Sequence, residues 1–150
     1  MRTGWYNNDT EFWTVTPLHN GHRQSFVLGA VKIYGDYYIV MLVCDSNCTA
    51  KTIRSNPAIS KTVESTNKAP SFKMLPLAVS KLQEIEKAIA EKETRKRYTI
   101  RVDGLDELRL RVYEKALKKY NCGYKKSSVL SLGVYGEPML QKTFRKTIDN

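Results

Sequence analysis

The chain has little of what most enzymes and membrane proteins display. It contains no glycine-rich phosphate loop, no nucleophile elbow and no His-x-Thr pair of the kind a two-histidine phosphoesterase uses. Its acidic residues near the N-terminus, Asp9, Glu11, Asp36 and Asp45, are scattered over turns and strand ends. Acid–base chemistry needs convergent groups, so the sequence points away from catalysis and calls for no cofactor. Cysteine is sparse and odd in number: Cys44, Cys48 and Cys122. With no apolar signal core after Met1, this predicts reduced thiols in a cytoplasmic setting, not a disulfide scaffold. The longest nearly apolar run, YYIVMLVC, falls far short of the roughly 20 residues that span a bilayer, so no membrane insertion is expected.

Acidic charge is also in short supply. Against 15 Asp and Glu stand 25 Lys and Arg, a formal net charge of +10. The surplus is uneven: residues 1–75 hold eight basic and five acidic side chains, residues 76–150 seventeen and ten. A basic excess attracts anionic partners over long range, nucleic acid first among them, without specifying fold. The 150 residues, 41% of them hydrophobic, are enough for one folded domain with a single core.

Residues 1–44 read as a three-stranded antiparallel meander. EFWTVTPLH and HRQSFVLGAVKIY flank Asn20-Gly21, and YYIVMLVC follows Gly35-Asp36. Two-residue turns at those dipeptides would set Val15 opposite Phe26, Trp13 opposite Leu28, Ala30 opposite Met41 and Leu28 opposite Val43. One sheet face then carries Trp13, Val15, Phe26, Leu28, Ile39, Met41 and Val43, the other Phe12, Val27, Val31, Ile33, Val40 and Leu42. Both faces are apolar, so both need cover, from helices, more sheet or a partner chain.

Residues 45–75 form a long polar connection rich in Ser, Thr and Asn, interrupted by Pro57 and Pro70. From Pro76 the period becomes helical, with Ala78, Leu82, Ile85 and Ile89 on one stripe. RYTIRV alternates, turning Tyr98, Ile100 and Val102 inward. LDELRLRVYEKALKKYN returns to a helical period, with Tyr120 in its apolar arc and Gly123 suited to the left-handed position after its end. SVLSLGVY predicts a last strand over 128–135, and the rest reads as a basic tail. The expected fold is α+β: the meander, the loop, then an α-β-α-β unit over 76–150 with two helices on a mixed sheet. Strands 97–102 and 128–135, if parallel neighbours, would be joined by a right-handed crossover.

Three constellations carry chemistry. In KETRKRYTIRVDG, Arg97 and Arg101 share the outward side of a strand, with Arg95 and Lys96 before it and Lys125 and Lys126 in a loop near its end. Alternating Arg residues match a phosphate path and offer bidentate geometry, with Tyr98 and Tyr124 as candidate stacking rings. Arg111, Lys115 and Lys118 add a second basic strip on the following helix. His19 and His22 across a turn, with Cys44 and Cys48, have zinc-ligand chemistry, but meander geometry separates them by about 15 Å. Arg109 sits within an apolar helical arc, either ion-paired, for instance with Asp106, or anchoring an anionic ligand.

The segment YTIRVDGLDELRLRVYEKALKKYNCGYKKSSVLSLGVYG resembles small phage-encoded accessory proteins in its strand, amphipathic helix, Gly123-Tyr124-Lys125 step and second strand. The resemblance implies a viral or mobile-element setting and no particular reaction. The functional expectation is thus a basic, non-enzymatic protein that binds DNA or RNA through phosphate contacts. The alternatives are an interaction protein, either an inhibitor of a host factor or an oligomeric virion component docking through the second apolar sheet face, and a binder of a nucleotide-like small ligand through Arg109.

Overall fold

A computed structural model describes residues 5–18, 24–44, 75–103, 107–132 and 135–149. Strands β1 (Trp5–Asn7), β2 (Glu11–Leu18), β3 (Gln24–Ile33) and β4 (Asp36–Cys44) pair in antiparallel succession. Helix α1 (Leu75–Lys92) precedes β5 (Arg97–Asp103), which runs parallel to β4. Helix α2 (Glu107–Lys119) precedes β6 (Lys125–Leu132), and β7 (Pro138–Asp149) returns antiparallel to both β6 and β5. The described strands form one mixed seven-stranded sheet in the order β1-β2-β3-β4-β5-β7-β6. The α+β class and the two helices agree with the sequence reading.

Three expectations are corrected. The basic tail is a strand, β7, and it occupies the lane between β5 and β6, so those two strands run parallel to each other without touching. In the β3–β4 hairpin the turn falls on Tyr34-Gly35, since Ile33 pairs with Asp36 and Ala30 with Ile39. Tyr34 and Gly35 both have positive φ, 49° and 88°, which is what a type I′ turn requires at its two central residues. The β2–β3 register also differs by one residue from a two-residue turn: Val15 opposes Val27 and Trp13 opposes Gly29. Because side chains alternate, that shift moves Phe12 to the face shared with Phe26 and Leu28.

Both helices cover that face. Phe12, Phe26, Leu28, Tyr37, Ile100, Val102 and Phe144 pack there against Ala78, Leu82, Ile85 and Ile89 of α1 and Tyr113, Ala116 and Leu117 of α2. The rings of Phe12, Tyr37 and Tyr98 meet edge to face, with centroids 6.1 and 5.8 Å apart. A small apolar cavity of about 30 Å³ remains between Leu28, Met41, Val79, Leu82, Val102 and Ala116.

Helix α2 ends in a Schellman motif. The Cys122 amide donates to Leu117 O (3.0 Å) and the Asn121 amide to Lys118 O (3.1 Å), with Asn121 at φ 50°. Asn121, and not Gly123, therefore takes the first left-handed position, although Gly123 follows it at φ 83°. The chain leaves the helix before Tyr120 can reach the core, and that ring stays 37% exposed.

The face opposite the two described helices changes character across the sheet. At β2 and β3 it is apolar, and Trp13, Val15 and Val27 are buried. Gly29 is what lets the Trp13 indole lie across β3: a Cβ there would stand 2.2 Å from Trp13 Cε3. At β5, β7 and β6 the same face becomes polar and cationic.

Candidate nucleic-acid interface

The structure divides the predicted basic corner. Arg95 is spoken for. Its guanidinium clasps Glu93, with Nε to Oε1 at 2.9 Å and Nη2 to Oε2 at 3.1 Å, and Nη2 also donates to Gly35 O at 2.6 Å. Glu93 further accepts the Tyr37 hydroxyl and stands 3.5 Å from Lys32 Nζ. The Arg95 hydrogen bonds hold the Glu93 carboxyl well below the usual carboxylate range, while burial and the Glu93 hydrogen bond push the Tyr37 phenol up. This knot fastens the tip of the β3–β4 hairpin to the end of α1. The sequence reading missed Glu93 because it looked for cations and treated the carboxylates around them as surface.

Arg101 is also not a free surface arginine: it is 8% exposed. Its Nη1 donates to the Tyr38 hydroxyl at 2.7 Å, its guanidinium lies 4.6 Å from the Tyr38 ring centroid, and Nη2 stands 3.4 Å from Asp103. Asp103 in turn accepts the buried Thr143 hydroxyl. Among the described residues Arg101 Nε has no acceptor.

The open cations stand beside it. Arg101 pairs directly with Arg145 on β7, and Arg145 with Lys125 on β6, so three cations form one row across adjacent strands. Lys125 is not in a loop, as expected, but is the first residue of β6. Asp36 lies 4.0 Å from Arg145 Nη2. Exposed Arg97 lies on the same face opposite Asp149, and between Arg97 and the row the hydroxyls of Thr99 and Thr147 stand 3.5 Å apart. Lys96, in the connection before β5, is exposed as well.

The other predicted cations face elsewhere. Lys126 is the second residue of β6, and its amine reaches Glu114 of α2 at 3.7 Å; Lys118 holds the same carboxylate at 3.3 Å. Lys118 and Lys126 together keep the Glu114 carboxyl below its ordinary value. Arg111 and Lys115 are exposed on α2, on the helix side of the sheet. Of the nine predicted residues, Arg97, Arg101 and Lys125 thus lie on one side of the sheet and Lys126, Arg111, Lys115 and Lys118 on the other, with Arg95 and Lys96 in the connection before β5.

Tyr98 packs in the core, 4% exposed, as expected. Tyr124 is not a stacking platform: its hydroxyl donates to Glu86 at 2.6 Å, and Lys146 Nζ stands 2.9 Å from the same carboxylate. Burial first, and then the Glu86 charge, push its phenol far up. The Arg109 side chain, Asp106, His19, His22 and Cys48 lie outside the described residues, as does the Cys44 side chain. Cys122 is a free, buried thiol. Arg145 was missed because its strand read as a tail; Phe144 and Ile148, alternating with it, were the available signal.

No family model, curated protein or solved structure matches this chain.

Proposed function

We propose that this protein binds nucleic acid, without catalysis, through phosphate contacts made by the face of β5, β7 and β6 opposite the two described helices. The observation that carries the reading is the row Arg101–Arg145–Lys125. Like charges placed directly opposite on neighbouring strands repel, so a row of three is costly for a sheet that has no anion to bind. Asp36 and Asp103 offset part of that repulsion. A phosphate path offsets the rest, with Arg145 as the bidentate donor, Lys125 and Arg97 as exposed point contacts, and Thr99 and Thr147 supplying hydroxyls between them. Arg101, held by Tyr38, Asp103 and the strand, sets the field from beneath. Lys96 contributes long-range attraction, as does the strip Arg111, Lys115 and Lys118, which does not share this surface.

Fluorescence anisotropy with a labelled oligonucleotide, from about 50 to 200 mM salt, tests the reading, since each phosphate contact contributes ~0.9 to the slope of log affinity on log salt. The triple variant Arg97→Ala, Lys125→Ala, Arg145→Ala should lower that slope by roughly 2 to 3 and weaken binding in parallel. An unchanged slope and affinity would show that the face is not the interface.

A further inference from the structure

The cation row ends on an aromatic ring. Tyr38 of β4 pairs with Arg101, so directly opposed residues run Tyr38–Arg101–Arg145–Lys125 across four adjacent strands. Paired residues share a face, and Ile100, Val102 and Phe144, which alternate with them, pack against the helices; all four therefore point the other way. At ~4.8 Å between strands the row spans roughly 14 Å. Tyr38 is half-buried, with the Arg101 guanidinium 4.6 Å from its ring centroid and its hydroxyl accepting from Arg101 Nη1 at 2.7 Å. The ring is thus held in place beside the open cations. It supplies on this face the stacking surface that Tyr98, packed in the core, and Tyr124, tied to Glu86, do not.

The same face is not purely cationic. Asp36 stands two residues before Tyr38, its carboxylate partly exposed, and exposed Asp149 lies opposite Arg97. The hydroxyls of Thr99 and Thr147 lie between Arg97 and the row.

Resting on the nucleic-acid reading, we infer that this face takes single-stranded RNA, with one base stacked on Tyr38 and neighbouring phosphates on Arg145 and Lys125. Charge complementarity selects that occupant. A duplex turns continuous phosphate ridges outward, and carboxylates at Asp36 and Asp149 would repel them. A single strand also turns base edges and 2′-hydroxyls toward a protein, and these carry donors that carboxylates and threonine hydroxyls accept. Tyrosine beside an arginine plane is the surface on which an unpaired base stacks. The cations lie on the flat of the sheet, not on an element narrow enough to enter a groove. DNA lacks the 2′-hydroxyl donor, so RNA is favoured over single-stranded DNA.

The test uses four labelled probes with equal numbers of phosphates: single-stranded RNA, its abasic ribose-phosphate counterpart, single-stranded DNA and duplex RNA. Wild type should bind single-stranded RNA on the order of tenfold more tightly than the abasic chain, and more tightly than the other two. Tyr38→Leu should erase that tenfold preference while keeping the salt slope, and Tyr38→Phe, which retains the ring, should restore it. The ring-proton shifts of Tyr38 in wild type, followed as unlabelled single-stranded RNA is added, give a readout independent of any variant and should move upfield with binding. Equal affinity of wild type for the base-bearing and abasic chains, with a static Tyr38 ring, overturns the stacking role and leaves the phosphate face standing. Equal or tighter binding of duplex RNA overturns the single-strand assignment, and equal or tighter binding of single-stranded DNA overturns the assignment to RNA. Failure of wild type to bind any probe overturns both this inference and the nucleic-acid reading beneath it.

Discussion

Arg95 closes on Glu93 through two guanidinium nitrogens while reaching across the chain to Gly35 O. Glu93→Gln leaves Arg95, Lys32 and the Tyr37 hydroxyl without their shared anion and should destabilise the fold by about 2 kcal/mol, the exposed side of Arg95 moderating the loss. Urea denaturation at neutral pH measures it.

The same carboxylate sets an acid limb. Glu93 titrates lower in the folded state than in the unfolded chain, where carboxylates titrate near ~4.3, so its contribution is complete above that value and is lost as pH falls below it. Wild type should lose stability more steeply than Glu93→Gln between about pH 5 and 2. Tyr37 and Tyr124 have the opposite sign. Their folded values are raised, so their contribution holds below the ordinary tyrosine value of ~10 and declines as pH rises above it. Thermal melts across both limbs check the two slopes.

Gly29→Ala should cost roughly 1 to 3 kcal/mol, because the new methyl meets the Trp13 ring at a distance no packed carbon tolerates. Trp13→Val in the same chain should recover part of the loss. A double-mutant cycle in denaturant reads the coupling, and additive effects would show that the indole does not lie across Gly29 in solution.

Val79→Ile adds one methylene beside the 30 Å³ cavity and keeps the branched shape already tolerated in α1. Filling that space should raise stability by about 0.5 to 1 kcal/mol, visible as a higher midpoint at constant urea slope.

Sulfate or phosphate should raise the melting temperature of wild type more than sodium chloride of equal ionic strength, since an anion bound by the folded row is lost on unfolding. Arg145→Ala should shrink that difference. Equal shifts in the two proteins would indicate general salt effects alone.

The helices were legible because their apolar stripes are unambiguous: Ala78, Leu82, Ile85 and Ile89 are all buried as read. β7 was not, because its helix-side positions alternate Phe144 and Ile148 with Lys146, whose stem packs while its amine goes to Glu86. Missing β7 hid Arg145, and with it the third member of the cation row. The β3–β4 register error arose from turn chemistry. Asn20-Gly21 and Gly35-Asp36 are good turn dipeptides, yet Tyr34 accepts positive φ beside Gly35, and a shift of a single position at β2–β3 exchanges faces. Of the cations, the strand positions were legible but not the partners: Glu93 and Asp103 stand two residues from Arg95 and Arg101 yet only the side-chain geometry shows that they bind them, and Tyr38 is brought to Arg101 by the fold alone.

The placement of β7 between β5 and β6 bears on the order of assembly. Both neighbours are synthesised before the strand that joins them, and until β7 arrives each presents a bare edge toward an empty lane. Such edges are templates for pairing with other chains, so a polypeptide stopped before Pro138 should accumulate as aggregate rather than as a smaller folded unit. A nascent chain paused at that point would be a natural client for chaperones that shield unpaired strands.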